Sequence, residues 1–295
     1  MAAERTVGVV GIGIMGSAIA RNLAAAGIAV RGYDTDPPRL ALLRRDGGAP
    51  AASAAEAATG AAVLLTSLPS AAALEATVAS LVAAPMAGLV VAELSTLPIA
   101  DKERCRDRLA AHGMIMLDCP LSGTGAQAAT RDLAVYASGE RDAYERAVPV
   151  FDGFARTHRY LGAFGNGSKM KFIANLLVAV HNVASAEAMA LGIKAGLDPD
   201  SIVKVIASGA GTSRVFELRA PLMAKGTYRP ATMKIDIWQK DMAIIAAFAA
   251  ALGVPTPTFS ATAPIYDAAQ AQGWGEDDTA AVCALLEKRA GITRS

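Results

Sequence analysis

The first 34 residues constrain the fold more than any other stretch. Thr6 to Val10 is a short run of β-formers, GIGIMG follows at once, Ser17 to Ala26 has a helix pattern closed by Gly27, and Ile28 to Tyr33 is a second strand. That order predicts a βαβ unit. Gly11, Gly13 and Gly16 fall on G-x-G-x-x-G between strand and helix. In that context the first glycine permits a tight turn, the second lets a pyrophosphate approach the backbone, and the third lets helix and strand pack closely. Helix N–H groups then meet the phosphates. The second strand ends in Asp34, 18 residues beyond Gly16, close to the offset of a carboxylate that accepts bonds from the adenosine ribose hydroxyls. Dinucleotide binding by Gly11, Gly13, Ile14, Met15, Gly16 and Asp34 is the expectation. A 2′-phosphate beside Asp34 would be repelled, which favours NAD over NADP. Arg31 and Arg39 are the side chains that could still receive such a phosphate.

A chain of 295 residues is long for one core, so two domains are expected. Hydrophobic residues make up 53% but aromatics only 5%, the composition of helices packed on parallel strands. With 28 basic and 27 acidic residues the net charge is +1, which suggests neither nucleic acid nor an anionic membrane as partner. The longest uninterrupted apolar run, Met242 to Val254, is too short to cross a bilayer, and MAAERTVGVV lacks the apolar region of a signal peptide. Cys105, Cys119 and Cys283 are odd in number and scattered, so buried thiols in a reducing cytoplasm are expected rather than disulfides or a zinc cluster. His112, His158 and His181 share no metal-ligand spacing, and no metal is implied.

Residues 61–68, 88–94, 113–118 and 132–138 are apolar β-type runs bounded by turn residues, with helix patterns between several of them, and residues 159–163 read as the end of the sheet. Together with the opening unit they predict a Rossmann-type doubly wound sheet over residues 1–163. Ligands of such sheets lie beyond the carboxyl ends of the strands. Those ends read SLPS (Ser67 to Ser70), ELST (Glu93 to Thr96) and DCPLSGTGAQA (Asp118 to Ala128). In the third, Ser122, Gly123 and Thr124 offer hydroxyls and unobstructed backbone N–H groups, a nest suited to a carboxylate.

Gly165 to Gly196 reads as one long helix, rich in alanine and large apolar residues and uninterrupted by proline. Lys171 and Asn175, four apart, share one of its faces. Taken alone, Lys171 reads equally well as a surface lysine lying over apolar neighbours. Beyond this helix, glycines and prolines punctuate helix-patterned segments with little β signal, including residues 235–252 with the charged pair Lys240-Asp241. An all-α domain over residues 164–295, joined to the first by the long helix, is expected.

Four segments in order, GIGIMGSAIARNL, LDCPLSGTGAQA, GNGSKMKFIAN and WQKDM, resemble the motifs of the β-hydroxyacid dehydrogenase family, which includes 3-hydroxyisobutyrate dehydrogenase. The likeness runs nearly end to end. It implies that Lys171 is the catalytic residue, that Ser122, Gly123 and Thr124 hold the substrate carboxylate, and that Asn175 supports the substrate. It also implies that Leu68, Pro69 and Thr96 border the nicotinamide and that Lys240 approaches cofactor and substrate. Two positions depart from the pattern: Ala174 stands where the family has an asparagine, and Thr124 where it has glycine. Both bear on substrate identity more than on reaction type.

The expected reaction is hydride transfer between NAD or NADP and a small β-hydroxyacid or its semialdehyde, with Lys171 moving the hydroxyl proton. The other readings are a dinucleotide-binding scaffold or sensor without catalysis, and an imine reductase-like enzyme. So apolar a helical domain also leads us to expect a homodimer or homotetramer.

Overall fold

The computed structural model describes residues 6–293. The chain divides into two compact units, the first ending at Lys171 and the second beginning at Phe172.

In the first unit, β1 (Thr6–Val10), α1 (Ile14–Ala25) and β2 (Ala29–Tyr33) form the βαβ start, followed by α2 (Pro37–Arg45), β3 (Ala49–Pro50) and α3 (Ala54–Ala58). Then β4 (Val63–Thr66), α4 (Ala71–Ala83), β5 (Val90–Glu93), α5 (Ile99–Ala110) and β6 (Ile115–Asp118) complete a parallel sheet of order β3-β2-β1-β4-β5-β6. The strands are apolar on both faces because helices cover both. In β4, Val63 and Leu65 enter one core, beside Ile19 and Leu23 of α1, while Leu64 enters the other, beside Leu74 and Leu81 of α4. The order reverses between β1 and β4, which makes their carboxyl ends the crevice of the sheet.

The next segment departs from expectation. β7 (Leu121–Ser122), α6 (Gly125–Ala129), β8 (Ala134–Ala137), α7 (Arg141–Phe154) and β9 (Thr157–Tyr160) do not prolong the parallel sheet. Instead β8 lies between β7, antiparallel to it, and β9, parallel to it, in a separate three-stranded sheet. The antiparallel return from Leu121 to Val135, by way of α6, takes one hydrogen-bonding edge of β8 and β9 takes the other. A bridge between Asp118 and Ser138 links β8 to the end of β6.

The second unit is helical. It contains most of α8 (Asn166–Lys194), then α9 (Pro199–Ala207), α10 (Arg214–Lys225), α11 (Ile235–Ala251), α12 (Pro257–Ala271), a 3-10 turn at Thr279–Ala281 and α13 (Val282–Arg289). Trp238 of α11 and Tyr266 of α12 pack ring to ring, 6.2 Å between centroids, and both are buried. Buried Asp278 accepts bonds from the Thr232 N–H (2.8 Å), the Thr232 hydroxyl (2.7 Å) and the Ala280 N–H (3.0 Å), and pairs with the buried Arg219 guanidinium.

By length and composition α8 is apolar enough to cross a membrane, although the longest uninterrupted apolar run in the sequence is not. Its buried face, however, carries polar side chains among the apolar ones, and they are engaged. Asn175 donates to Asp241 (3.0 Å) and Asn182 donates to the Tyr266 hydroxyl and the Thr279 carbonyl (2.9 Å each), all buried within the helical unit. That is the pattern of a core helix rather than of a lipid-facing one.

Candidate active site

The glycine loop is shaped by backbone contacts that leave one opening. Gly11 has φ of +88°, and a Cβ there would lie 2.1 Å from the Ser67 carbonyl oxygen. At Gly16 a Cβ would lie 1.9 Å from the Gly11 carbonyl oxygen. A Cβ at Gly13 would meet no atom nearer than Arg39 Nη1 at 3.8 Å. The space over Gly13 is thus open for a ligand, and α1 begins at that glycine with no side-chain cap, so its first N–H groups suit a phosphate. Asp34, at the end of β2, accepts the Ile12 N–H at 2.7 Å and the Asp36 N–H at 2.9 Å and lies 3.3 Å from Arg39. Of the two arginines that could meet a 2′-phosphate, Arg31 instead donates to the Glu56 and Thr59 carbonyls at 3.3 and 3.0 Å. Arg39 remains beside Asp34, paired also with Asp36 at 3.2 Å. These residues fit a nicotinamide dinucleotide.

At the neighbouring strand ends lies a cluster that sequence reading noticed only in part. Lys102 of α5 has no exposed surface, and its Nζ reaches Glu93 Oε2 at 2.7 Å, Asp118 Oδ1 at 2.8 Å and the Ser95 carbonyl at 2.7 Å. Burial would favour the neutral amine, but Asp118 and Glu93 outweigh it and hold the pKa of Lys102 above the ordinary lysine value. On the Glu93 side, Oε1 accepts the Ser95 N–H (3.0 Å), and the Ser95 hydroxyl accepts the Leu68 N–H (2.7 Å). On the Asp118 side, Oδ2 accepts the Ser168 N–H and Oδ1 the Ser168 hydroxyl, both at 2.7 Å, while the Gly167 N–H reaches the Ser138 hydroxyl at 2.9 Å. The first turn of α8 is therefore seated on the ends of β6 and β8. A Cβ at Gly167 would lie 2.2 Å from the Tyr136 carbonyl oxygen, so only glycine permits this approach. Lys171, one turn after Ser168, is buried at 8% exposure. The division between the units falls after this turn, inside α8 rather than in the loop before it.

The loop after β6 corrects one expectation. The Thr124 N–H is not unobstructed: it donates to Gln127 Oε1 at 3.1 Å. The Gln127 amide in turn donates to Asp132 (3.0 Å), whose other oxygen takes Arg156 (2.6 Å). Gly123 has φ of +131° and lies close over Leu133, and a Cβ at Gly125 would lie 2.4 Å from the Ile14 side chain, so this loop leans on the glycine loop. Ser122 is half-buried and pairs with Ala134 in β8. In the helical unit, Asp241 accepts Asn175 and lies 3.3 Å from Lys240 Nζ.

A parallel sheet of this order, an open glycine turn at its switch point and a carboxylate at the end of β2 define a dinucleotide-binding protein. Comparison with known proteins narrows the class. Residues 6–162 match the model of the NAD binding domain of 6-phosphogluconate dehydrogenase, and residues 165–286 that described as the NAD-binding domain of NADP-dependent 3-hydroxyisobutyrate dehydrogenase. The chain is 38% identical to an L-threonate dehydrogenase of Cupriavidus necator, over 96% of each chain. Among solved structures it is similar to a 3-hydroxyisobutyrate dehydrogenase from Salmonella typhimurium, with a TM-score of 0.87 and 34% identity over 95% of this chain and 99% of that one. It is also similar to the Mycobacterium tuberculosis 3-hydroxyisobutyrate dehydrogenase with L-serine, with a TM-score of 0.85 and 30% identity over 96% and 99%. The chain belongs to the β-hydroxyacid dehydrogenase family. It is an NAD(P)-dependent oxidoreductase acting on the CH–OH group of a hydroxyacid.

Proposed function

We propose that Lys171 is the proton-transferring group of this dehydrogenase and that its substrate is a short β-hydroxyacid, with L-threonate and 3-hydroxyisobutyrate the first to test. The observation that carries the reading is a buried lysine on a helix whose first turn rests on the carboxyl ends of β6 and β8, the edge of the unit that also presents the glycine turn. The nicotinamide, when bound, accepts or supplies the hydride. The protein must then move one proton at the substrate oxygen, and an amine can do so in either direction: neutral, it accepts the proton as the alcohol is oxidised, and charged, it donates one as the carbonyl is reduced. Ser122, Gly123 and Thr124 are assigned to the substrate carboxylate; the Thr124 N–H and hydroxyl both meet Gln127 Oε1, at 3.1 and 3.4 Å. Leu68, Pro69 and Thr96 are assigned to the nicotinamide border. Asn175 and Lys240 are assigned to the substrate through the resemblance of their motifs, and Lys240 also to the cofactor.

NAD is the favoured cofactor, since Asp34 would repel a 2′-phosphate and Arg39 is already shared between Asp34 and Asp36. The cytoplasm is the proposed location, because Cys105, Cys119 and Cys283 are buried thiols rather than halves of disulfides. We also propose a homodimer or homotetramer. Ile173, Leu177, Ala184 and Leu191 are exposed on α8 and fall within roughly 40° of arc at 100° per residue, an apolar stripe that a second copy would cover.

The test is turnover of L-threonate and 3-hydroxyisobutyrate with NAD and NADP in parallel, using the native chain and Lys171→Ala. The variant should lose turnover while still binding NAD. Oxidation should speed up toward alkaline pH and reduction toward mild acid; substantial residual turnover in Lys171→Ala removes the assignment.

A further inference from the structure

A lysine with no exposed surface is costly to bury, and a buried ion cluster is weak evidence for stability because apolar residues of the same volume often serve as well. What this cluster holds in place accounts for it better. The residue before α8 is Gly165, which has no side chain to cap the helix, and Asp118 from β6 supplies the missing acceptor to the Ser168 N–H at 2.7 Å. A carboxylate in that position is favoured by the unsatisfied N–H groups of the first turn. Its aim is set by Lys102, whose three N–H bonds are all placed, on Glu93, Asp118 and the Ser95 carbonyl. Through Glu93 and Ser95 the same ammonium fixes the N–H of Leu68, in the loop assigned to the nicotinamide border.

We infer that Lys102, acting through Asp118 and Ser168, is a positioning residue that holds Lys171 in register with the Leu68 loop. The inference rests on the reading of Lys171 given above. A small displacement of a reacting group is enough to lower turnover without weakening binding. Asp118 without its ammonium would pull on α8 as a buried carboxylate with no counterion, and Ser168 without its hydroxyl would lose one of its two bonds to Asp118.

The test compares Ser168→Ala, Lys102→Met and Lys171→Ala with the native chain, using NAD and whichever of L-threonate or 3-hydroxyisobutyrate turns over. Ser168→Ala keeps the backbone bond to Asp118 and should fold. We expect kcat to fall roughly tenfold in Ser168→Ala and roughly a hundredfold in Lys102→Met, with NAD affinity within about twofold of native. The pH midpoint for oxidation should move in both. Loss of stability alone would reduce the folded fraction and leave that midpoint where it was. If Lys102→Met does not fold, Ser168→Ala decides. Native kcat and a native pH midpoint in Ser168→Ala, with Lys171→Ala inactive, overturn the positioning role and leave the assignment of Lys171 standing. An active Lys171→Ala overturns both.

Discussion

Gly13 and Gly16 are three residues apart and answer to different constraints. At Gly16 a methyl group would collide with the Gly11 carbonyl, a backbone atom that cannot yield, whereas at Gly13 it would meet only the end of Arg39. Gly16→Ala should therefore destabilise the first unit by about 1–3 kcal/mol, seen as a lower Tm. Gly13→Ala should leave Tm unchanged and raise the NAD Kd by roughly tenfold, since the methyl group would stand where the pyrophosphate approaches the backbone. Titration with NAD checks the second effect and thermal unfolding the first. Replacing Asp34 by serine removes the charge that repels a 2′-phosphate and frees Arg39 from one partner, so the ratio of kcat/KM for NADP to that for NAD should rise by roughly tenfold or more. The glycine roles were legible in the sequence because they depend on neighbours within one βαβ unit. Lys102 was not. In IADKERCRDRLA it is one charge among many, and such a segment reads as a solvated helix face. Only the three-dimensional approach of β5 and β6 brings Glu93 and Asp118 to it.

Among whole elements, the turn that carries Asp278 depends on pH. Burial raises the pKa of its carboxyl, but Arg219 and the bonds from Ala280 and Thr232 more than offset this, leaving it below the ordinary aspartate value. A carboxyl with a lower pKa in the folded chain than in the unfolded one adds stability above the unfolded value of about 3.9. That contribution disappears as pH falls through the folded value. Asp278→Ala should cost the helical unit about 3–5 kcal/mol near neutral pH, because it also leaves Arg219 buried without its partner. The same substitution should flatten the acid side of a plot of stability against pH, measured by urea unfolding. Most elements were legible as periodic patterns: the five longer strands of the large sheet, the long helix and the helical second half. The allocation of β8 and β9 to a separate sheet was not, since their side-chain alternation is the same in either arrangement. Which strand β8 pairs with is decided by the antiparallel return from Leu121 to Val135. The two-residue β3 carries too short a pattern to be seen.

For the molecule as a whole, the apolar stripe on α8 makes assembly the measurable quantity. Leu177→Asp with Leu191→Asp places charge on the exposed apolar face, and a mass in solution that falls to that of one chain is the expected outcome. The helix has a second property, set at its other end. Because Asp118 grips α8 at Ser168, the direction in which Lys171 points is counted from that grip, at about 100° for each residue between. Adding or deleting a single residue between the two would swing the amine round the helix axis while the grip stayed intact. Lys169 and Met170, which both reach solvent, are free to change in kind but not in number.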